Sequence, residues 1–222
     1  RMGQAVLRLA AADPRVRVVA AVSEKVGQRV IQGVPQFNAS ELQGATAFDV
    51  AIDFSASSAF DAILAACVRS GAALVSGTTG LDPGQQARLA TAGERIPVLW
   101  ASNFSLGVAV LTALVDQAAR ALPGWDCDIV EVHHKGKQDA PSGTALSLGK
   151  AAEHGGARPR YASLRAGDIV GEHTVQFTTN GERIELVHRA FDRDVFARGA
   201  LQAAQWLTGR RPGVYSLADI LG

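Results

Sequence analysis

A chain of 222 residues can bury a substantial core and form one or two domains. Its 47% hydrophobic and 19% charged residues suit a globular enzyme, and a formal net charge of +1 supplies neither the basic field expected of a nucleic-acid binder nor an acidic one. Cys67 and Cys127 lie far apart with no C-x-x-C spacing, which argues against a disulfide framework or structural zinc and for a reducing cytoplasm, and no apolar run approaches the ~18 residues of a membrane span.

In chain order, Arg1-Met2-Gly3 leads directly into an amphipathic segment rather than a signal-peptide pattern. Val6, Leu9 and Ala10 share a helical face, and Pro14 ends that helix at Asp13. Residues 16–22 are β-branched and nearly continuously apolar, which predicts a strand covered on both faces. Gly27, Gly33, Pro35 and Gly44 predict loops and a short helix across 23–48. Residues 50–54 read as a second buried strand, and Ser57 or Ser58 is placed to cap a helix over 59–68. A third strand at 73–76 runs into Gly77-Thr78-Thr79-Gly80, followed by a helix over 83–94 and a strand at 98–100. Short buried strands alternating with helices imply right-handed crossovers and a parallel sheet. Residues 1–104 are thus expected to form a Rossmann-like dinucleotide-binding domain.

The pattern then changes. A long apolar helix over 106–122 precedes a strand at 128–133 that ends on histidine, and a helix over 142–153 follows. Residues 173–179 and 182–188 alternate around Asn180-Gly181, a hairpin signal in which both turn residues take positive φ. The expectation for 105–193 is an α+β domain with a mixed sheet. A closing helix at 195–207 opens the C-terminal segment, 194–222.

The densest chemistry lies in residues 131–145, E-V-H-H-K-G-K-Q-D-A-P-S-G-T-A. Two histidines and two lysines stand at a strand end, and lysines are almost never buried unpaired. Pro141-Ser142-Gly143-Thr144 opens a helix whose free N–H groups suit an anion such as a carboxylate. An acid–base group, cations and an anion-binding helix end together suit reduction of an anionic substrate. A zinc site at His133 or His134 fits poorly, since strand neighbours point to opposite faces and no third ligand is near. Gly77–Gly80 lies where open α/β sheets bind ligands, although a plain βα turn fits those four residues as well. Asp53 suits the capping of a neighbouring loop better than cofactor contact. Cys127 reads as a small buried side chain, His154 as a helix C-terminal residue, His173 as a strand residue, and His188 as core or interface.

These motifs are similar to those of the dihydrodipicolinate reductase family: R-M-G at the start, V-A-I-D-F, G-T-T-G, A-S-N-F-S-L-G, the H-H-x-x-K-x-D-A-P-S-G-T-A string and R-A-G-D-I-V-G-E-H-T, spanning nearly the whole chain. The resemblance implies NADH- or NADPH-dependent reduction of a small cyclic dicarboxylate in bacterial lysine and diaminopimelate biosynthesis. It implies that hydride passes to an unsaturated ring with His133 as the acid–base group and Lys137 as a second proton donor. It makes His134 a substrate contact and Gly143 and Thr144 the backbone site for a substrate carboxylate. Arg1, Met2, Gly77, Thr78, Thr79, Ala101, Ser102, Asn103 and Phe104 match cofactor contacts, and Glu24 stands near the ribose position. It further implies that 105–193 is the substrate-binding and oligomerisation domain, that 194–222 returns to the first domain, and that the protein is a cytoplasmic homotetramer with no nucleic-acid or membrane partner.

Two departures stand out. Where the family carries an acid or Arg after the second strand, this chain reads Ser23-Glu24-Lys25; Glu24 suits a ribose diol, while Lys25 and Arg29 suit a 2′-phosphate, so both cofactors are expected to serve. Residues 154–161 form a shorter loop than in many members. The rivals are another Rossmann amino-acid or semialdehyde dehydrogenase, which lacks the double histidine with P-S-G-T-A, and a nucleotide sensor, which needs neither His133 nor Lys137. The helix beginning at Met2 also leads to the expectation that a buried strand and a glycine-rich turn precede Arg1.

Overall fold

The computed structural model describes residues 2–24, 29–38, 41 and 47–222. The chain divides into two compact units: one runs through Phe104 and takes back Phe196–Ile220, and the other is Ser105–Val195.

In the first unit, α1 (Met2–Ala11) comes first, and four parallel strands form one sheet: β4 (Val50–Asp53), β5 (Ala73–Ser76), β6 (Pro97–Trp100) and β11 (Gly213–Tyr215). Their order is β11-β6-β5-β4. β5 is buried along its whole length, as its unbroken Ala-Leu-Val-Ser run requires. Helices α2 (Ser57–Ser70) and α3 (Pro83–Gly93) supply Phe60, Leu64, Cys67, Leu89 and Ala92 to a core with Leu74, Ile96 and Val98. A capping box starts α3: the Asp82 side chain accepts from the Gln85 N–H, and Gln85 Oε1 accepts from the Asp82 N–H. A second sheet, in the order β1-β3-β2, joins β1 (Ala21–Ser23), β2 (Val30–Ile31) and β3 (Val34–Asn38). The Rossmann-like alternation of parallel strands and helices is therefore present.

Three expectations need correction in this unit. Of residues 16–22, only Ala21 and Val22 join a ladder, with Ser23 beyond them; they pair with Gln36–Asn38, and residues 16–20 have no strand partner among the described residues. The span 23–48 carries strands at 30–31 and 34–38, where loops and a short helix were expected; residues 25–28, 39–40 and 42–46 lie outside the described residues. Neither Ser57 nor Ser58 caps α2. Its N-cap is Ala56, with no side-chain hydrogen bond, because the helix starts at Ser57, two residues earlier than expected, and takes both serines into its first turn.

In the second unit, β7 (Asp126–His133) lies between parallel β8 (Pro159–Arg165) and antiparallel β9 (Gly171–Thr179), and β10 (Glu182–Ala190) pairs antiparallel with β9. This is the mixed sheet of an α+β domain. Helices α4 (Leu106–Ala121) and α5 (Gly143–His154) cover one face. Leu111, Val115 and Ala119 from α4 and Ala145, Leu148 and Ala152 from α5 pack on Cys127, Ile129, Val175 and Phe177. Thr179 faces Glu182 across the two-residue turn, but only Gly181 has positive φ, at 93°. Asn180 does not, so only one of the two expected crossings to positive φ occurs. The strand β8 was not anticipated: it is an edge strand whose interior is exposed on both faces, so its sequence has no apolar alternation to read. The closing helix is α6 (Asp194–Leu207), and a short α7 (Ala218–Leu221) ends the chain.

Candidate active site

Along β7 burial alternates, and Cys127, Ile129, Glu131 and His133 all face the helices. The last two are polar, so the core face of this strand turns from apolar to ionisable as it reaches its C-terminal end. Glu131 is completely buried, and a buried carboxylate is tolerable only when its oxygens are satisfied. Arg165 Nη1 and Nη2 donate to Oε2 and Oε1 at 2.9 and 2.8 Å, and the Ser142 N–H donates to Oε1 at 3.3 Å. His133 Nδ1 completes the shell at Oε2. Burial would push the Glu131 carboxyl up, but hydrogen bonds from Arg165, Ser163 and His133 outweigh it and hold the pKa at about 2.

An ionised Glu131 can only accept, so the proton of neutral His133 sits on Nδ1 and leaves Nε2 for the reaction. A Cβ at Gly171 would lie 3.0 Å from that Nε2, so glycine keeps this edge of the ring clear. Burial lowers the His133 pKa; the bond and charge of Glu131 oppose this, while the charges of Lys137 and Arg165 add to it. At rest the ring is therefore biased toward its neutral form.

The segment after β7 is tied back through its backbone. The Ala166 N–H donates to the His133 carbonyl at 2.9 Å, Lys135 N–H to Gly167 at 3.1 Å, and Lys137 N–H to His134 at 3.1 Å. Arg165 Nε and Nη2 reach the carbonyls of Lys137 and Asp139 at 3.3 and 2.6 Å. The Lys137 ammonium pairs with Asp139 at 2.7 Å, which lowers the Asp139 pKa. Ser142 caps α5 by accepting from the Ala145 N–H, leaving Gly143 exposed and Thr144 half-buried in the first turn. The Ser142 hydroxyl also lies 3.2 Å from His173 Nε2, and the His173 ring stands edge-on to His133 with centroids 5.1 Å apart. Burial, then the charge of His133, pushes His173 down to about 4. So His133, the backbone of the Lys137 segment and the start of α5 meet around Glu131 and Arg165. His134 is half-buried beside Gly136.

In the first unit, Gly77–Thr79 follows β5 and Ala101–Phe104 follows the adjacent β6. The two turns are joined by Ala101 N–H to Ser76 (3.1 Å) and Trp100 Nε1–H to Thr78 (2.8 Å). Asp53 holds the first of them: its carboxylate accepts from Ser76, Thr78 and the Ser55 N–H at 2.7–2.9 Å. Thr78 is thus turned inward and buried, while Thr79 and Ser102 are exposed. A side chain at Gly77 would overlap the Phe54 ring, itself edge-on to Phe104. Exposed backbone at the carboxyl ends of two adjacent parallel strands suits a dinucleotide. Met2 is half-buried in α1 and Glu24 is exposed after β1, whereas Arg1 and Lys25 lie outside the described residues. Arg29 pairs with Glu41 at 2.9 Å.

Other residues fall as read. Cys67 and Cys127 are buried free thiols, pushed up to about 12 and about 11 by burial and nearby acid charge. His154 ends α5, and half-buried His188 lies 3.1 Å from Ser105 Oγ. No group of three metal-ligating side chains occurs among the described residues.

Family models described as dihydrodipicolinate reductase, N-terminus and C-terminus, match residues 1–104 and 107–221. The chain is 66% identical over 223 residues to a 4-hydroxy-tetrahydrodipicolinate reductase of Stenotrophomonas maltophilia, covering 100% of this chain and 93% of that protein. A protein of the same name from Xanthomonas campestris pv. campestris is 64% identical over 222 residues, with the same coverage. Among solved structures, a dipicolinate-bound dihydrodipicolinate reductase from Paenisporosarcina sp. TG-14 shares the fold at a TM-score of 0.82 and 21% identity, over 97% of this chain and 93% of that one.

Proposed function

The chain belongs to the dihydrodipicolinate reductase family, and we propose that the site around Glu131 is where it reduces 4-hydroxy-tetrahydrodipicolinate to tetrahydrodipicolinate at the expense of NADH or NADPH. In that conversion one hydride and one proton enter the substrate and one water leaves. The nicotinamide cofactor, when bound, supplies the hydride. Backbone of Gly77–Thr79 and Ala101–Phe104 would hold it, with Met2 and Glu24 further contacts and Arg1 a third.

The observation that carries the reading is the Nδ1–H···Glu131 bond, which leaves His133 Nε2 as the exchangeable position. His133 takes a proton from solvent and gives it at Nε2, and a bound dianion favours that step because negative charge raises the pKa of a neighbouring imidazole. Lys137 is the second donor, released from Asp139 when a substrate carboxylate competes for its ammonium. The N–H groups of Gly143 and Thr144 hold a carboxylate at the start of α5, where the helix dipole also favours negative charge, and His134 flanks it.

A homotetramer is part of the reading. The sheet face away from α4 and α5 carries Val130, Val132, Ala162, Leu164 and Val187 in register, and Leu164 is 55% exposed. An apolar face of this kind suits burial against a second copy. Light scattering should read about four times 23.2 kDa. The reading also locates the enzyme in the cytoplasm; no helix of the described residues is long and apolar enough to cross a membrane.

Replacing His133 or Lys137 by Ala should lower kcat by ~10²–10⁴, the usual worth of a general acid–base group, and leave the cofactor Kd nearly unchanged. Near-wild-type turnover in both variants would remove them from the mechanism.

A further inference from the structure

We propose that the buried Glu131–Arg165 pair is the positioning device of this site, setting the His133 tautomer and holding the Lys137 segment through one pair of charges. The inference rests on the reading of His133 and Lys137 as proton donors.

The case begins with what the pair touches. Glu131 Oε2 accepts from His133 and Oε1 accepts from the N–H of Ser142, the cap of α5. Arg165 spans the other side: besides both carboxylate oxygens, it donates to the carbonyls of Leu164, Lys137 and Asp139 at 2.6–3.3 Å. The segments that carry the proposed proton donors and the proposed carboxylate site are therefore each bonded to one of these two side chains. A buried ion pair is weak evidence for stability, since apolar residues of similar volume often serve as well. An apolar pair here would leave the Ser142 N–H, the His133 Nδ1–H and the loop carbonyls without partners. What the charges supply is geometry.

The tautomer follows from chemistry. A carboxylate offers no proton, so His133 must present Nδ1–H to it and Nε2 outward. Glutamine has nearly the same shape but carries both a donor and an acceptor, and it no longer enforces one tautomer. The groups facing His133 are Glu131 on its own strand, Arg165 from β8, His173 from β9 and Lys137 from the following segment. Only Glu131 among them is an acid, so its loss leaves the ring among cationic and neutral partners.

Two variants separate the two roles. Ring ¹⁵N NMR of the wild-type protein should show His133 with its neutral proton on Nδ1. Glu131→Gln should give a mixture of tautomers, a kcat lowered by ~10²-fold or more, an alkaline limb of the pH–rate profile, where the donor loses its proton, moved to lower pH, and an unchanged cofactor Kd. Arg165→Lys keeps the charge beside Glu131 but cannot span the carbonyls of residues 137 and 139. It should keep the Nδ1–H tautomer and raise KM for the dicarboxylate several-fold. The proposal is overturned if Glu131→Gln keeps both the single tautomer and the wild-type pH profile, or if Arg165→Lys leaves KM unchanged. Should the glutamine variant fail to fold, the wild-type tautomer and the lysine variant decide alone, a wild-type proton on Nε2 being contrary. Failure of the functional reading looks different: the wild-type protein then leaves the substrate unreduced whatever its tautomer.

Discussion

His173 joins stability to the active site at the level of a single side chain. It is 3% exposed, its Nδ1 has no hydrogen-bond partner among the described residues, and its pKa is pushed to about 4 by burial and the neighbouring His133. An unfolded histidine titrates near 6.5, so between pH 6.5 and 4 the unfolded chain binds a proton that the native protein does not. The stability this contributes is complete above pH 6.5 and is lost as the pH falls toward 4, with a slope of up to about 1.4 kcal/mol per unit. His133, whose pKa is also lowered, adds a slope of the same sign. Urea titrations from pH 4 to 7 should therefore show a shallower slope for His173→Gln than for the wild type; equal slopes would mean that His173 is already protonated in the native state. Part of this cluster is legible in the sequence. Residues two apart on a strand share a face, so Glu131 beside His133 follows from period two. Arg165 does not, because its approach depends on the pairing of β7 with an edge strand that has no apolar rhythm of its own.

Among the elements, α5 offers the cleanest probe. Gly143 is its first residue, directly after the Ser142 cap, with no positive φ and open space where a side chain would go. Proline is well tolerated at such a first position, since its missing N–H has no helical partner there and its fixed φ suits the helix. Gly143→Pro should therefore keep its fold, give up the N–H that bonds Asp139, and lose one donor to the substrate carboxylate. KM for the dicarboxylate should rise about tenfold or more, the worth of one charge-assisted hydrogen bond, with the melting temperature nearly unchanged; an unchanged KM would remove the N–H from the anion site. The elements that sequence reading places well are those with a strong local signal, such as the buried β5 run, the Asn180-Gly181 hairpin and the capped α3. Of those it misses, β8 and β11 are edge strands whose partners are distant in sequence, while β2, two residues long, and β3 pair across a tight turn in a span read as loops from its Gly and Pro.

For the whole molecule, both units carry a surface suited to one half of the reaction. In the first, Asp53 fixes the turn that follows β5, which explains why an acid at the end of β4 need not touch the cofactor. On the proposed reading, choice between the cofactors falls to the region after β1, where exposed Glu24 would favour a ribose diol, while the Arg29 guanidinium is engaged by Glu41 and would be a weaker partner for a 2′-phosphate. In the second unit, one buried ion pair holds the proposed proton donors. The reaction itself is read by following NADH or NADPH absorbance while 4-hydroxy-tetrahydrodipicolinate is generated in place by the enzyme that precedes it in the pathway. The wild-type protein should oxidise both cofactors, with kcat/KM values within roughly a hundredfold, about 2.7 kcal/mol, of each other, and the His133→Ala variant should oxidise neither at a comparable rate. A folded protein that binds NADH yet leaves its absorbance unchanged with this substrate would contradict the assignment.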